Sequence, residues 1–225
     1  MSYILKLLKN NFLLTLLSFM KSKNWVNRQK NDQFVKKAKQ LGYINRAAFK
    51  LEEIEQKYKI IEHSREILEL GSSPGGWTQV ILNYNPKTNI TCFDLLDMKI
   101  NNQCITFYRE DFLKYSFINL KNKFDLVLSD VAPNTTGHQS TDHLRISQLI
   151  YEVIDRLEII LKNQGSFIFK IWKGEEEKEI IKILKKKFDK VEYFKPKSSR
   201  QESSCLLYTS PSPRDISGSR MPSSA

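Results

Sequence analysis

Short apolar runs alternate with longer amphipathic segments along most of this 225-residue chain, and this alternation limits the fold more than any other feature. The apolar runs predict strands at 67–70, 89–93, 105–108, 124–129, 166–171 and 190–194. Apolar residues at helical spacing predict helices at 46–61, about 75–84, about 140–162 and about 175–187. Helices that separate buried strands are typical of an α/β fold with a mostly parallel sheet and helices on both faces. The length suits one such domain.

The first predicted strand ends in a glycine-rich loop, ILELGSSPGGWTQ at 67–79. A strand that ends in a glycine loop and opens a helix usually holds a nucleotide-like ligand. The loop GSSPGG lacks the middle glycine of a dinucleotide fingerprint, and no Lys-Ser or Lys-Thr pair follows it. These departures disfavour NAD and nucleoside triphosphates, while an ordinary tight turn remains an alternative.

Two acidic residues stand where the next two strands end. Asp94 follows strand 89–93, 23 residues after Gly71, and Asp111 follows strand 105–108. A carboxylate at the first position can accept hydrogen bonds from ribose hydroxyls, and one at the second from an adenine amino group. Carboxylates repel phosphates but suit a sulfonium cation, so S-adenosylmethionine (SAM) is the expected ligand. The alternative is that both residues are simple strand-end caps.

Further charged residues interrupt apolar segments. Asp130 comes directly after strand 124–129, and Lys170 lies within strand 166–171. An ionised lysine inside a buried strand costs several kcal/mol unless it is paired or opens onto a cleft. Lys50 lies at the margin of the apolar stripe of helix 46–61, where a lysine that snorkels to solvent explains it equally well. Ligand sites of α/β proteins lie at the carboxyl ends of the strands, so a cleft is expected there.

The motifs GSSPGGW, FDLL, EDF, SDVAPN and FIFKIW, with RAAFKL before them and KPKSSRQESS after, resemble the FtsJ/RrmJ-like ribosomal RNA 2′-O-methyltransferases. The resemblance covers 24–204 and points to the RlmE type. It implies a Rossmann-like methyltransferase fold that transfers a methyl group from SAM to a ribose 2′-hydroxyl, with a uridine of large-subunit ribosomal RNA as the expected target. It assigns catalytic roles to Lys50, Asp130 and Lys170, with Lys170 as the proton acceptor. It assigns SAM binding to Gly75, Trp77, Asp94, Asp111 and Asp130.

Two other functions remain open at this point. The first is a transfer RNA 2′-O-methyltransferase of the same family, and the second is a non-catalytic RNA-binding factor in ribosome assembly. A NAD-dependent oxidoreductase is disfavoured by the loop spacing.

The charge balance indicates a polyanionic partner. The chain has 36 basic and 25 acidic residues and a formal net charge of +11, which favours RNA over a merely basic soluble protein. Its three cysteines form no CxxC pair, so no metal site is expected. We expect a monomer without a membrane segment. The residues expected to contact RNA phosphates are Lys36, Lys37, Lys39, Arg46, Lys195, Lys197 and Arg200.

Both ends of the chain differ in composition from its centre. Residues 1–23 form a basic, amphipathic leader without acidic residues, which predicts an organellar transit peptide, mitochondrial first, with a cytoplasmic protein as the alternative. Residues 205–225 are rich in Ser and Pro and are expected to be disordered. The family resemblance expects a fourth catalytic residue, a Glu, at the position of Cys205. The segment is therefore either a genuine divergent tail or a non-native sequence joined at Cys205.

Overall fold

The computed structural model describes residues 30–133, 138–172, 174–199 and, for the backbone, 205–210. The predicted leader at 1–23 lies outside these residues. The helices are α1 (Gln33–Gln40), α2 (Ala48–Tyr58), α3 (Gly76–Tyr84), α4 (Gln139–Ile160) and α5 (Glu175–Lys187). The strands are β1 (Glu66–Leu70), β2 (Asn89–Phe93), β3 (Ile105–Tyr108), β4 (Phe124–Ser129), β5 (Leu161–Trp172), β6 (Glu192–Phe194) and β7 (Cys205–Ser210). None of the described helices is long and apolar enough to cross a bilayer.

The strands form one sheet in the order β3-β2-β1-β4-β5-β7-β6. The first five strands in this order pair in parallel. β7 pairs antiparallel with both β5 and β6, so β6 runs in the same direction as β5. The predicted Rossmann-like α/β fold is confirmed. The loops that follow β1, β2, β3, β4 and β6 consequently leave the sheet at one edge, the carboxyl edge.

Apolar residues cover both faces of the sheet. Successive residues of a strand point to opposite sides, so each strand contributes to the core on both faces. On one face, Phe167 and Phe169 pack with residues of α4 and α5. On the other face, Ile168 packs with residues of α2 and α3, such as Leu51 and Val80. Lys170 lies two residues after Ile168 in β5. Its side chain therefore lies on the same face of the sheet as Ile168, the face that α2 and α3 cover.

Three parts of the chain differ from the sequence-based expectation. Helix α1 was not predicted, and neither were the two 3-10 helices at Phe112–Lys114 and Phe117–Leu120. β5 begins at Leu161, directly after α4, rather than at residue 166. The Ser/Pro-rich segment was expected to be disordered from Cys205, but Cys205–Ser210 form β7. CLLYTS has strand propensity, and the edges of β5 and β6 offer it backbone partners. Residues 211–225 lie outside the described residues.

Candidate active site

Asp130 and Lys170 meet at the carboxyl edge of the sheet. Ser129 in β4 is paired with Phe169 in β5. Asp130 and Lys170, which follow these two residues in the chain, therefore lie side by side. The Lys170 Nζ atom is 2.6 Å from Asp130 Oδ1 and donates a hydrogen bond to the Asp130 carbonyl oxygen at 2.7 Å. The two side chains are only 11% and 22% exposed. The sequence-based expectation that both residues line one cleft agrees with this geometry.

The positive charge of Lys50, which lies on α2, also interacts with the carboxylate of Asp130. Burial alone would raise the pKa of Asp130, but the charges of Lys170 and then Lys50 outweigh it and hold the pKa below its ordinary value. Asp130 is therefore ionised at neutral pH, and the charges of both lysines favour this state. The three residues that sequence analysis proposed as catalytic form one electrostatic cluster.

The position of α2 depends on Trp77. The indole N–H of Trp77 donates a hydrogen bond to the carbonyl oxygen of Ala47 at 3.0 Å, which fixes the start of the helix that carries Lys50. Trp77 is 2% exposed and lies in the core between α2 and α3. Its side chain is used for packing, and its predicted role in cofactor binding remains a prediction.

The glycine loop lies against the segment that carries Asp130. The backbone N–H of Asp130 donates to the carbonyl oxygen of Leu70 at 3.0 Å. Gly71 has φ +77°, and a Cβ atom there would lie 2.8 Å from the backbone nitrogen of Val131. Gly75 has φ +111°, a conformation that residues with a Cβ rarely adopt. Both glycines are thus required by backbone conformation.

Asp94 and Asp111 organise the backbone at the ends of β2 and β3. Asp94 accepts hydrogen bonds from the backbone N–H groups of Ser73, at 2.8 Å, and Leu96, at 2.9 Å. Asp111 accepts one from Leu113 at 3.1 Å and caps the first 3-10 helix. The strand-end capping that sequence analysis left open is therefore present. A carboxylate oxygen has more than one acceptor site, so binding of ribose and adenine by the same residues remains a prediction.

Sequence analysis missed Glu69, which lies in β1 just before the glycine loop. Its carboxyl group is 2% exposed and accepts a hydrogen bond from the Thr78 hydroxyl at 2.6 Å. Burial, with smaller contributions from the negative charges of Asp130 and Asp94, raises the pKa of Glu69 to about 8. A negative charge on Glu69 is thus disfavoured, first by burial and then by the carboxylates of Asp130 and Asp94. The signal in the sequence was an acidic residue inside an apolar strand.

The residues predicted to contact RNA separate into two groups. Lys36, Lys37 and Lys39 on α1 are exposed, as are Lys195 and Lys197 after β6. The guanidinium group of Arg46 instead contacts the Asp32 carboxylate and the carbonyl oxygen of Ser198. Two of the Arg46 donor groups are thus used within the protein, and its contact with RNA phosphate remains a prediction. Arg200 lies outside the described residues.

No metal centre is visible in the part of the chain that the structure describes. Its His, Cys, Asp and Glu side chains form no group of three or more that could hold a metal ion.

Comparison with known proteins finds similarity over most of the chain. A family model for FtsJ-like methyltransferases matches residues 43–209. The chain is 39% identical over 188 residues to the ribosomal RNA large subunit methyltransferase E of Zymomonas mobilis, which covers 81% of this chain and 85% of that protein. It is 41% identical over 184 residues to the protein of the same name from Caulobacter vibrioides, covering 80% and 81%.

A solved structure is similar as well. A Plasmodium falciparum protein described as a ribosomal RNA methyltransferase superposes with a TM-score of 0.66 at 27% sequence identity. The match covers 76% of this chain and 98% of that one.

Proposed function

The chain belongs to the FtsJ-like methyltransferase family, and on that premise we propose that it transfers a methyl group from SAM to a ribose 2′-hydroxyl of RNA. We propose a uridine of large-subunit ribosomal RNA as the target. The observation that carries this proposal is the convergence of Lys50, Asp130 and Lys170 at the carboxyl edge of the sheet. The names of the relatives support ribosomal RNA as the substrate.

The chemistry of the cleft fits SAM. When bound, SAM supplies an electrophilic methyl group on a positively charged sulfur. The carboxylates of Asp94 and Asp130, which add to the effect of burial in raising the pKa of Glu69, favour a sulfonium cation over a pyrophosphate. We propose that the backbone around Gly75 and Trp77 holds the amino-acid part of SAM, that Asp94 binds the ribose and that Asp111 binds the adenine. The exposed Leu95 and Leu96 offer an apolar surface beside the base.

Lys170 is the proposed proton acceptor. An amine can take the proton of a 2′-hydroxyl only while it is uncharged. Asp130 holds the Lys170 amine in place through the contact at 2.6 Å, and its low pKa keeps it ionised over the working range. Lys50 positions the ribose from the opposite side of Asp130. The new bond joins the 2′-oxygen to the methyl carbon, the carbon–sulfur bond breaks, and the proton goes to Lys170.

Methyl transfer from labelled SAM tests the proposal. Purified protein is incubated separately with large ribosomal subunits, free ribosomal RNA and transfer RNA, and the modified ribose is mapped. We expect label in large-subunit RNA as a 2′-O-methyl group. Label confined to transfer RNA would contradict the ribosomal assignment. SAM binding without transfer to any RNA would contradict the enzymatic function and favour an assembly factor.

We also propose a mitochondrial location, from the composition of residues 1–23. A fusion of these residues to a fluorescent protein is expected to be imported by mitochondria, because a basic amphipathic segment without acidic residues is typical of a transit peptide. Substituting Glu for Lys6 and Lys9 should abolish import. A cytoplasmic distribution of the unchanged fusion would contradict this location.

A further inference from the structure

The segment after β6, residues 195–199, is attached to the helix that carries Lys50. The carboxylate of Glu53 on α2 accepts hydrogen bonds from the backbone N–H groups of Lys197, at 2.5 Å, and Ser198, at 2.8 Å. Both carboxylate oxygens take part. Ser198 is buried against the protein, while the side chains of Lys195 and Lys197 are exposed. One acidic residue thus fixes the backbone at Lys197 and Ser198, next to two solvent-facing lysine side chains.

The same segment is attached to α1 through Arg46. The Arg46 guanidinium group contacts the carbonyl oxygen of Ser198 and also the carboxylate of Asp32. Asp32 caps α1 by accepting a hydrogen bond from the Phe34 N–H at 3.0 Å. The start of α1 and the segment 195–199 are therefore joined at one side chain.

An aromatic contact completes this junction. The Phe34 ring on α1 packs against the Phe49 ring on α2, with centroids 5.6 Å apart. Lys37 lies over the Phe49 ring at 5.1 Å. Helix α1, with its three exposed lysines, is thereby held against the residue that precedes Lys50.

We propose that Arg46 and Glu53 are positioning residues that brace two groups of lysines into one binding surface for RNA phosphates beside Lys50. The two groups are Lys36, Lys37 and Lys39 on α1, and Lys195 and Lys197 after β6. This inference rests on the proposed function, because it concerns how the RNA substrate is held.

The location supports this role. Glu53 is three residues after Lys50, so both side chains lie on one side of α2. The segment 195–199 follows β6, which runs parallel to β5 and ends at the edge where Lys170 meets Asp130. Phosphate contacts set the register of a nucleic acid on a protein. Lysines fixed relative to Lys50 would therefore place one ribose at the cluster, whereas lysines on a loose segment would bind without alignment.

A double-mutant cycle tests the proposal in the full-length protein. The variants are Glu53→Ala, the pair Lys195→Ala with Lys197→Ala, and all three changes together. Gln56→Ala is the matched control, since Gln56 is exposed on the same helix. The probe is large-subunit ribosomal RNA transcribed in vitro. The measurements are its Kd at several salt concentrations, the Kd for SAM, and the thermal midpoint.

Glu53→Ala is expected to weaken RNA binding by about tenfold, because lysines on a freed segment lose conformational freedom when they bind. The slope of log K against log salt should become shallower by about 1–2, which corresponds to one or two lost phosphate contacts. Binding of SAM should be unchanged. In the variant without the two lysines, Glu53→Ala should change RNA affinity by less than about twofold, because coupled residues are not additive.

Unchanged RNA affinity and salt slope in Glu53→Ala would overturn the inference while leaving the proposed function intact. A full effect of Glu53→Ala in the absence of the two lysines would also overturn it, because the effect would then be general destabilisation. If Glu53→Ala does not fold, Glu53→Gln keeps one carbonyl acceptor and should give a smaller loss of affinity in the same direction. A wild-type chain that binds no RNA would contradict both the inference and the proposed function.

Discussion

Replacing Glu69 by Gln should make the stability of the protein less sensitive to pH. The Glu69 carboxyl group is buried beside the glycine loop, and its pKa is raised from an ordinary value of 4.5 to about 8. Since the pKa in the folded state lies above that in the unfolded state, the protonated group contributes stability that is fully present below about pH 4.5. This contribution is lost as the pH rises through the folded-state pKa of about 8. Gln has the same shape and does not titrate.

The expected magnitude follows from the two pKa values. At about 1.4 kcal/mol per pH unit, a pKa raised from 4.5 to about 8 corresponds to about 5 kcal/mol between these pH values. Rearrangement that admits water to the carboxylate would reduce this figure. Because a domain is stable by only about 5–15 kcal/mol, even half of the effect is measurable.

The assay is urea unfolding of wild type and Glu69→Gln at pH values from 5 to 9. The free energy of unfolding of the variant minus that of wild type should increase with pH and level off above about pH 8. Contributions of other titrating groups cancel in this difference. Thr78→Val is a second variant, which removes the hydroxyl that donates to Glu69 and should raise the pKa of Glu69 further. A difference that stays constant over the pH range would refute the reasoning.

Three further predictions concern the same edge of the sheet. Asp130→Asn should lower the free energy of unfolding by roughly 1–3 kcal/mol at pH 7. The pKa of Asp130 is lower in the folded than in the unfolded protein. The ionised group therefore contributes stability above its unfolded-state pKa, and this contribution is lost as the pH falls through its folded-state pKa. The difference in free energy of unfolding between wild type and Asp130→Asn, measured in urea, should therefore vanish in acid. Gly71→Ala should cost about 1–3 kcal/mol at φ +77° and weaken SAM binding in calorimetry. Cys205→Glu should raise kcat if a carboxylate at this position assists catalysis; Cys205→Ser serves as its control.

The predictable part of this fold is the part whose residues repeat at a regular spacing. Strands β1, β2, β3 and β4 lie at or within one residue of their predicted positions, because each is a short and mostly apolar run. Helix α1 has only eight residues and fully buries only Ala38, so its apolar stripe is too short to predict a helix. The helix is stabilised by Asp32, by the contact of Asp32 with Arg46 and by the Phe34–Phe49 contact. The last two join residues distant in the chain, so the periodicity of the local sequence does not reveal them.

The candidate site was predictable where a charged residue interrupts a buried strand. Lys170 lies within such a strand, and Asp130 directly follows one. Glu69 also lies within an apolar strand, but the sequence analysis did not identify it as a site residue. The attachment of Ser198 to Glu53 spans 145 positions in the chain. Such a contact depends on the order of strands in the sheet, so local sequence could not indicate it. The same holds for Arg46, whose basic side chain suggested RNA but whose partners are Asp32 and Ser198.

The most direct test of the catalytic cluster compares SAM binding and methyl transfer in Lys170→Met. Met retains the length of the side chain but cannot accept a proton. We expect SAM to bind within about threefold of wild type, while methyl transfer to large ribosomal subunits falls by about 10²-fold or more, as is typical for loss of a general base. Transfer at the wild-type rate by a variant that binds SAM normally would contradict the assignment of Lys170 and the mechanism built on its contact with Asp130.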